Sequence, residues 1–130
     1  MKEFKRLNPI FRAYPEIKLV YLFGSRATGS EGPLSDYDFA IYLDTKDKTR
    51  MYEIKFDMIV SISRLLKTDR IDVVILNLTD SPDLKYMIIK ESCLIYEKEP
   101  FKVIVEPRIL NEYFDFQKML DKHNLTKAPA

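Results

Sequence analysis

A chain of 130 residues is the size of one domain, and folding at that length buries roughly two-thirds of the surface an extended chain exposes. Hydrophobic residues at 46% and charged residues at 32% exclude the disordered class, while a single cysteine, Cys93, and a single histidine, His123, exclude a disulfide framework, a Cys/His zinc site and a histidine-based nucleophile relay. Lys+Arg number 21 against Asp+Glu 20, a net charge of +1, which argues against direct nucleic-acid binding by phosphate neutralisation.

The opening MKEFKRLNPIFRAYPE lacks an apolar stretch of signal-peptide length and reads as a short helical segment. The longest apolar runs, FAIYL and VVIL, are too short to cross a bilayer. A cytoplasmic protein with no membrane partner is expected.

Ile17 to Phe23 (IKLVYLF) reads as a strand that stops at Gly24-Ser25. Arg26 to Ser35, with Gly29, Gly32 and Pro33, reads as a loop with room for one helical turn opening at Ser25. From Asp36 to Leu43 the residues alternate as a strand does: Tyr37, Phe39, Ile41 and Leu43 share one face, and Asp36, Asp38, Ala40 and Tyr42 the other.

Residues 44 to 50 form a solvated connection. Met51, Ile54, Met58, Ile62, Leu65 and Leu66 then recur at helical spacing, which predicts an amphipathic helix from Met51 to Lys67 covering the sheet. Ile71 to Leu76 (IDVVIL) is a short run of buried-strand type. Ser81-Pro82-Asp83 supplies an N-cap, a first-position proline and an acid for a helix through Lys90. Cys93 to Tyr96 and Phe101 to Val105 read as two further strands, and Pro107 as the opening of a last helix. The elements predict an α/β (α+β) fold with a small mixed sheet and helices packed mainly on one face. Cys93 reads as a small buried residue, Tyr113, Phe114 and Phe116 as core packing with a partner interface as the second choice, and His123 as surface.

The chemistry rests on carboxylates. Two aspartates two residues apart on a strand lie roughly 6 to 7 Å apart on one face. Asp72, second in an otherwise apolar strand, would suffer desolvation unless something positive meets it. Arg70, Lys90 or an edge amide could serve. If its strand lies beside that of Asp36 and Asp38, three acids converge, and a hard cation such as Mg²⁺ relieves their repulsion. Gly24 and Ser25 offer backbone N–H groups and a hydroxyl to phosphate oxygens where side chains are small, and Arg26 could add a charge-assisted contact. The pattern G-S-x(10)-D-x-D should arise by chance on the order of once in a thousand chains of this size.

With GSRATGSEGPLSDYDFAIYL at 24 to 43, IDVVIL at 71 to 76 and SPDLKYMIIKESCLIYE at 81 to 97, the sequence resembles the polymerase β-like nucleotidyltransferases, and among them the minimal nucleotidyltransferases. Thr28 stands where many relatives carry a basic or bulky residue.

The resemblance implies a polymerase β-like domain over residues 1–100; residues 101–130 carry no motif of it and read, from their own pattern, as a C-terminal strand and helix extension packed on the same domain. It implies that Gly24 and Ser25, with Arg26 beside them, bind the nucleotide, that Asp36 and Asp38 bind two Mg²⁺ (or Mn²⁺) ions, and that Asp72 completes one metal site and helps deprotonate the attacking hydroxyl. The implied reaction moves AMP from ATP to a hydroxyl acceptor. In many relatives this acceptor is a tyrosine of a HEPN-type ribonuclease toxin, which makes the transferase an antitoxin. Two alternatives stand beside it: a non-catalytic nucleotide- or partner-binding antitoxin, and a small-molecule, aminoglycoside-type nucleotidyltransferase. The last ranks lowest because barely thirty residues follow the shared region to build an acceptor pocket.

Overall fold

The computed structural model describes residues 2–29, 32 and 35–123. The expected loop positions 30, 31, 33 and 34, and the end of the C-terminal extension from residue 124, lie outside them.

A 3₁₀ segment at Lys2–Leu7 runs into α1, Asn8–Arg12. Strands β1 (Ile17–Phe23) and β2 (Tyr37–Leu43) flank a single helical turn, α2 (Ser25–Thr28). Helix α3 (Lys48–Leu66), strand β3 (Ile71–Ile75), helix α4 (Pro82–Glu91), strand β4 (Cys93–Glu97) and helix α5 (Phe101–Lys122) follow.

The four strands lie in the order β3-β2-β1-β4. β1 runs antiparallel to β2 and β4, and β2 runs parallel to β3. The parallel pair needs a crossover, which α3 provides.

Most of the core lies on one face, where Val20, Leu22, Phe39, Ile41, Leu43 and Val73 meet Met51, Ile54, Met58 and Ile62 of α3 and Phe11 of α1. Ile17 joins this face although its odd number would send it to the other. The register shift between Ile17 and Leu19 accounts for that. On the opposite face Leu19, Tyr21, Phe23 and Ala40 form a smaller cluster with Ile88 of α4 and Val105 and Ile109 of α5. Each fully buried aliphatic side chain here contributes about 1.5–3 kcal/mol.

Helix α3 begins three residues before the expected Met51. Asp47, read from sequence as part of a solvated connection, caps it by accepting the Arg50 N–H at 3.3 Å. Its end is a left-handed residue, Lys67 (φ 56°). Ser81 caps α4 as expected, accepting Leu84 N–H at 3.1 Å.

The expected strand at Phe101 to Val105 is a correction: those residues are the first turns of α5, and Pro107 lies inside that helix rather than at its start. Val105 and Ile109 are buried four residues apart, with Phe101 packed behind them, so the helical period decides over the β propensity of VIV. Pro107 deprives the Val103 carbonyl of its helical donor. Val103 is 73% exposed, which leaves water free to replace it.

The aromatic residues of α5 also depart from core packing. Tyr113 stacks on Tyr86 of α4 with centroids 3.8 Å apart, but Phe114 is 51% exposed and Phe116 only half-buried. Cys93 is half-exposed, its Sγ 3.9 Å from the Ala27 carbonyl.

Candidate active site

The C-terminal end of β1 and the N-terminal ends of β2 and β3 meet at one edge of the sheet. Phe23 pairs with Asp38 across the antiparallel ladder, and Asp38 pairs with Asp72 across the parallel one. In a parallel pair, residues in register point to the same side. Asp38 and Asp72 therefore share the face that carries Ala40, and the neighbouring Phe39 and Val73 point into the main core.

Asp38 is half-buried. Burial first, then Asp72, then Asp36, raises its carboxyl above the usual carboxylate range. Asp38 thus feels both other carboxylates at this edge. Asp72, however, is exposed. The desolvation argued for it from its apolar neighbours is absent, because it stands at the open start of β3 and not in its interior.

Asp36 precedes β2 and lies on the surface, with Oδ1 3.7 Å from Nη1 of Arg70. Arg70 precedes β3 and accepts the Tyr37 N–H on its carbonyl at 2.8 Å. Sequence reasoning raised Arg70 only as one of several possible partners of Asp72. The signal for its place beside Asp36 was available: Arg70-Ile71-Asp72 repeats the spacing of Asp36-Tyr37-Asp38, but it becomes readable only once the two strands are known to be parallel and in register.

Gly24 follows β1 with φ 78° and ψ −160°, a conformation nearly confined to glycine. A Cβ at this position would overlap Oδ2 of Asp38 and stand 3.3 Å from its Cγ. Its carbonyl accepts Ala27 N–H at 3.0 Å, opening the turn that carries Ser25. Glycine here thus serves both a backbone shape and close packing on a carboxylate.

Arg26 takes a different direction. Its guanidinium lies 4.0 Å from the centre of the Tyr37 ring and donates to the Ser35 carbonyl at 3.0 Å. Tyr37 packs edge-on to Phe4 at the margin of the main core, the face opposite the aspartates. Arg26 ties the two ends of the loop together.

The donor set is carboxylate oxygen, the hard ligand that suits Mg²⁺ and Mn²⁺, and the repulsion felt by Asp38 is of the kind a divalent cation relieves. Among the described residues no three His, Cys, Asp or Glu side chains are gathered closely enough to cage an ion as they stand. Asp38 and Asp72 are side by side, and Asp36 reaches toward Arg70. Among the described residues no helix is long and apolar enough to cross a membrane.

The family model of polymerase beta nucleotidyltransferases matches residues 5–101. Several solved structures share the fold. A chain of a mutant MntA-HpeT toxin-antitoxin aligns over 91% of this chain and 92% of its own, with TM-score 0.73 and 19% identity. A toxin-antitoxin with AMP-PNP aligns over 94% of both chains, with TM-score 0.72 and 22% identity. A complex of tri-AMPylated HEPN toxin with MNT antitoxin, from Shewanella oneidensis, also aligns over 94% of both, with TM-score 0.67 and 19% identity. No curated protein matches the sequence.

Proposed function

Because the chain belongs to the polymerase β nucleotidyltransferase family, we propose that it is a metal-dependent transferase that moves AMP from ATP to a tyrosine hydroxyl of a HEPN-type toxin and so acts as the antitoxin. The observation that carries this reading is the side-by-side placement of Asp38 and Asp72, with Gly24 packed against Asp38. Structures of the same fold that contain AMP-PNP or an AMPylated HEPN toxin support the choice of nucleotide and partner.

Asp36, Asp38 and Asp72 would hold two Mg²⁺ ions, which supply neutralisation of the phosphate charge. Gly24 opens the turn that carries Ser25, whose N–H and hydroxyl would donate to the phosphate oxygens. Arg26 maintains the loop that presents both. The acceptor oxygen attacks the α-phosphorus in line, one P–O bond forms, the bond to the bridging oxygen breaks, and pyrophosphate leaves. Asp72, exposed at the edge of the sheet, is open to an incoming hydroxyl and takes its proton.

The test is incubation of the purified protein with Mg²⁺ and labelled ATP, with and without a HEPN-family toxin, followed by intact-mass measurement of both chains. Addition of AMP units to the toxin that disappears in Asp38→Ala supports the reading. If no nucleotide is transferred and toxin neutralisation survives loss of all three aspartates, the protein is instead a binding antitoxin.

A further inference from the structure

The sheet edge holds four charged residues in two registered rows. Asp38 lies opposite Asp72, and one step of the same register outward, beyond the Tyr37 to Ile71 pair, Asp36 lies opposite Arg70. The Arg70 carbonyl accepts the Tyr37 N–H at 2.8 Å, so the register still holds at that point. The Arg70 guanidinium reaches Asp36 at 3.7 Å, with the two side chains 45% and 57% exposed. The guanidinium therefore places one positive charge beside the carboxylates of this edge.

We propose that Arg70 is the resident counter-ion of this carboxylate cluster: it occupies Asp36 until a divalent cation takes that carboxylate over, and it thereby sets how tightly the site holds metal. This rests on the proposed metal role of Asp36, Asp38 and Asp72. A metal ion that recruits Asp36 must displace one cation and bind beside it, so part of its affinity goes into breaking the existing pair. The pair is solvent-exposed and long for a salt bridge, which makes the cost modest. Three carboxylates around one corner of the sheet repel one another before metal arrives. Arg70 lowers that repulsion at the expense of metal affinity.

Mn²⁺ binding without nucleotide, followed by electron paramagnetic resonance, tests the proposal in wild type, Arg70→Ala, Arg70→Gln, Arg70→Lys and Asp38→Ala. The neutral variants should bind Mn²⁺ about two- to fivefold more tightly, the range expected from losing one exposed ion pair. Arg70→Lys, which keeps the charge, should stay near wild type. The backbone bond from Tyr37 to residue 70 survives every substitution, and circular dichroism checks each fold. Metal binding that is unchanged or weaker in both Arg70→Ala and Arg70→Gln overturns the role of Arg70 and leaves the metal site standing. Mn²⁺ binding that is absent in wild type, or unaffected by Asp38→Ala, overturns the metal site and the role of Arg70 together.

Discussion

Gly24 and Asp38 are packed so closely that the hydrogen on the Gly24 Cα occupies the only space available: a Cβ there would run into the Asp38 carboxylate. The end of β1 and the start of β2 are thereby locked to each other on either side of the loop that joins them. Replacing Gly24 with alanine has two separable effects. The left-handed backbone angle costs about 1–3 kcal/mol of stability, and the methyl group pushes Asp38 out of line with Asp72. Gly24→Ala should fold with a lowered melting temperature and lose about a hundredfold in transfer rate, the scale of a roughly 1 Å displacement at a reacting centre. Full activity in a destabilised protein would show that Asp38 tolerates the shift.

Asp38 is the acid most penalised by its surroundings, through burial and through Asp72 and Asp36. Asp38→Asn keeps its size and removes the repulsion. Without metal, Asp38→Asn should melt at a higher temperature than wild type at pH 7 while losing transfer activity. Calorimetry in the presence of a chelator checks the first half, and a lower melting temperature would contradict it.

Tyr21 lies 2% exposed on the opposite face from α3, and its hydroxyl donates to Oε2 of Glu106 on α5 at 2.6 Å. Burial first, and the Glu106 carboxylate second, raise the phenol far above its ordinary value of 10. A raised phenol in the folded state means that the unfolded chain releases its proton first. Stability is therefore fully present below pH 10 and falls as pH climbs beyond it. Tyr21→Phe should cost about 1.5–3 kcal/mol at neutral pH, the value of a hydrogen bond to a charged group, and should flatten the loss of stability above pH 10. Denaturant titrations of both proteins across that range decide the matter.

Pro107 interrupts the hydrogen bonding of α5 at a position that is itself exposed. Pro107→Ala restores the amide donor to the Val103 carbonyl and should stabilise the protein by about 1–3 kcal/mol, within the helix penalty assigned to proline. Equilibrium unfolding measures it. Stability that is unchanged would mean that water already satisfies the Val103 carbonyl as well as an amide donor does.

Asn77 closes the far end of the same strand pair. Its side chain accepts from Leu43 N–H at 2.9 Å and donates to the Leu43 carbonyl at 2.7 Å. Asn77→Ala removes both bonds where water has access, so the expected loss is about 1 kcal/mol. Hydrogen exchange at Leu43 should quicken, and unaltered exchange would assign its protection to the strands alone.

Local chemistry was enough to read β1, β2, the Ser81 cap and the position of Gly24-Ser25, because alternation, capping and the glycine turn act within a few residues. The side of β2 that carries Asp36 and Asp38 followed from the same alternation. The C-terminal helix did not follow. Val103, Ile104 and Val105 have strand propensity, and Pro107 suggests a start; only the packing of Val105 and Ile109 on Leu19 and Tyr21 makes the segment helical. The placement of Arg70 beside Asp36 was equally out of reach, and that of Asp72 beside Asp38 came from the family resemblance and not from local chemistry, because register between distant strands is a property of the assembled sheet. The sequence by itself determined which residues carry charge and which way each strand turns them. The tertiary structure decided which charges meet, because α3 must return the chain in parallel before Arg70 and Asp72 can come alongside Asp36 and Asp38.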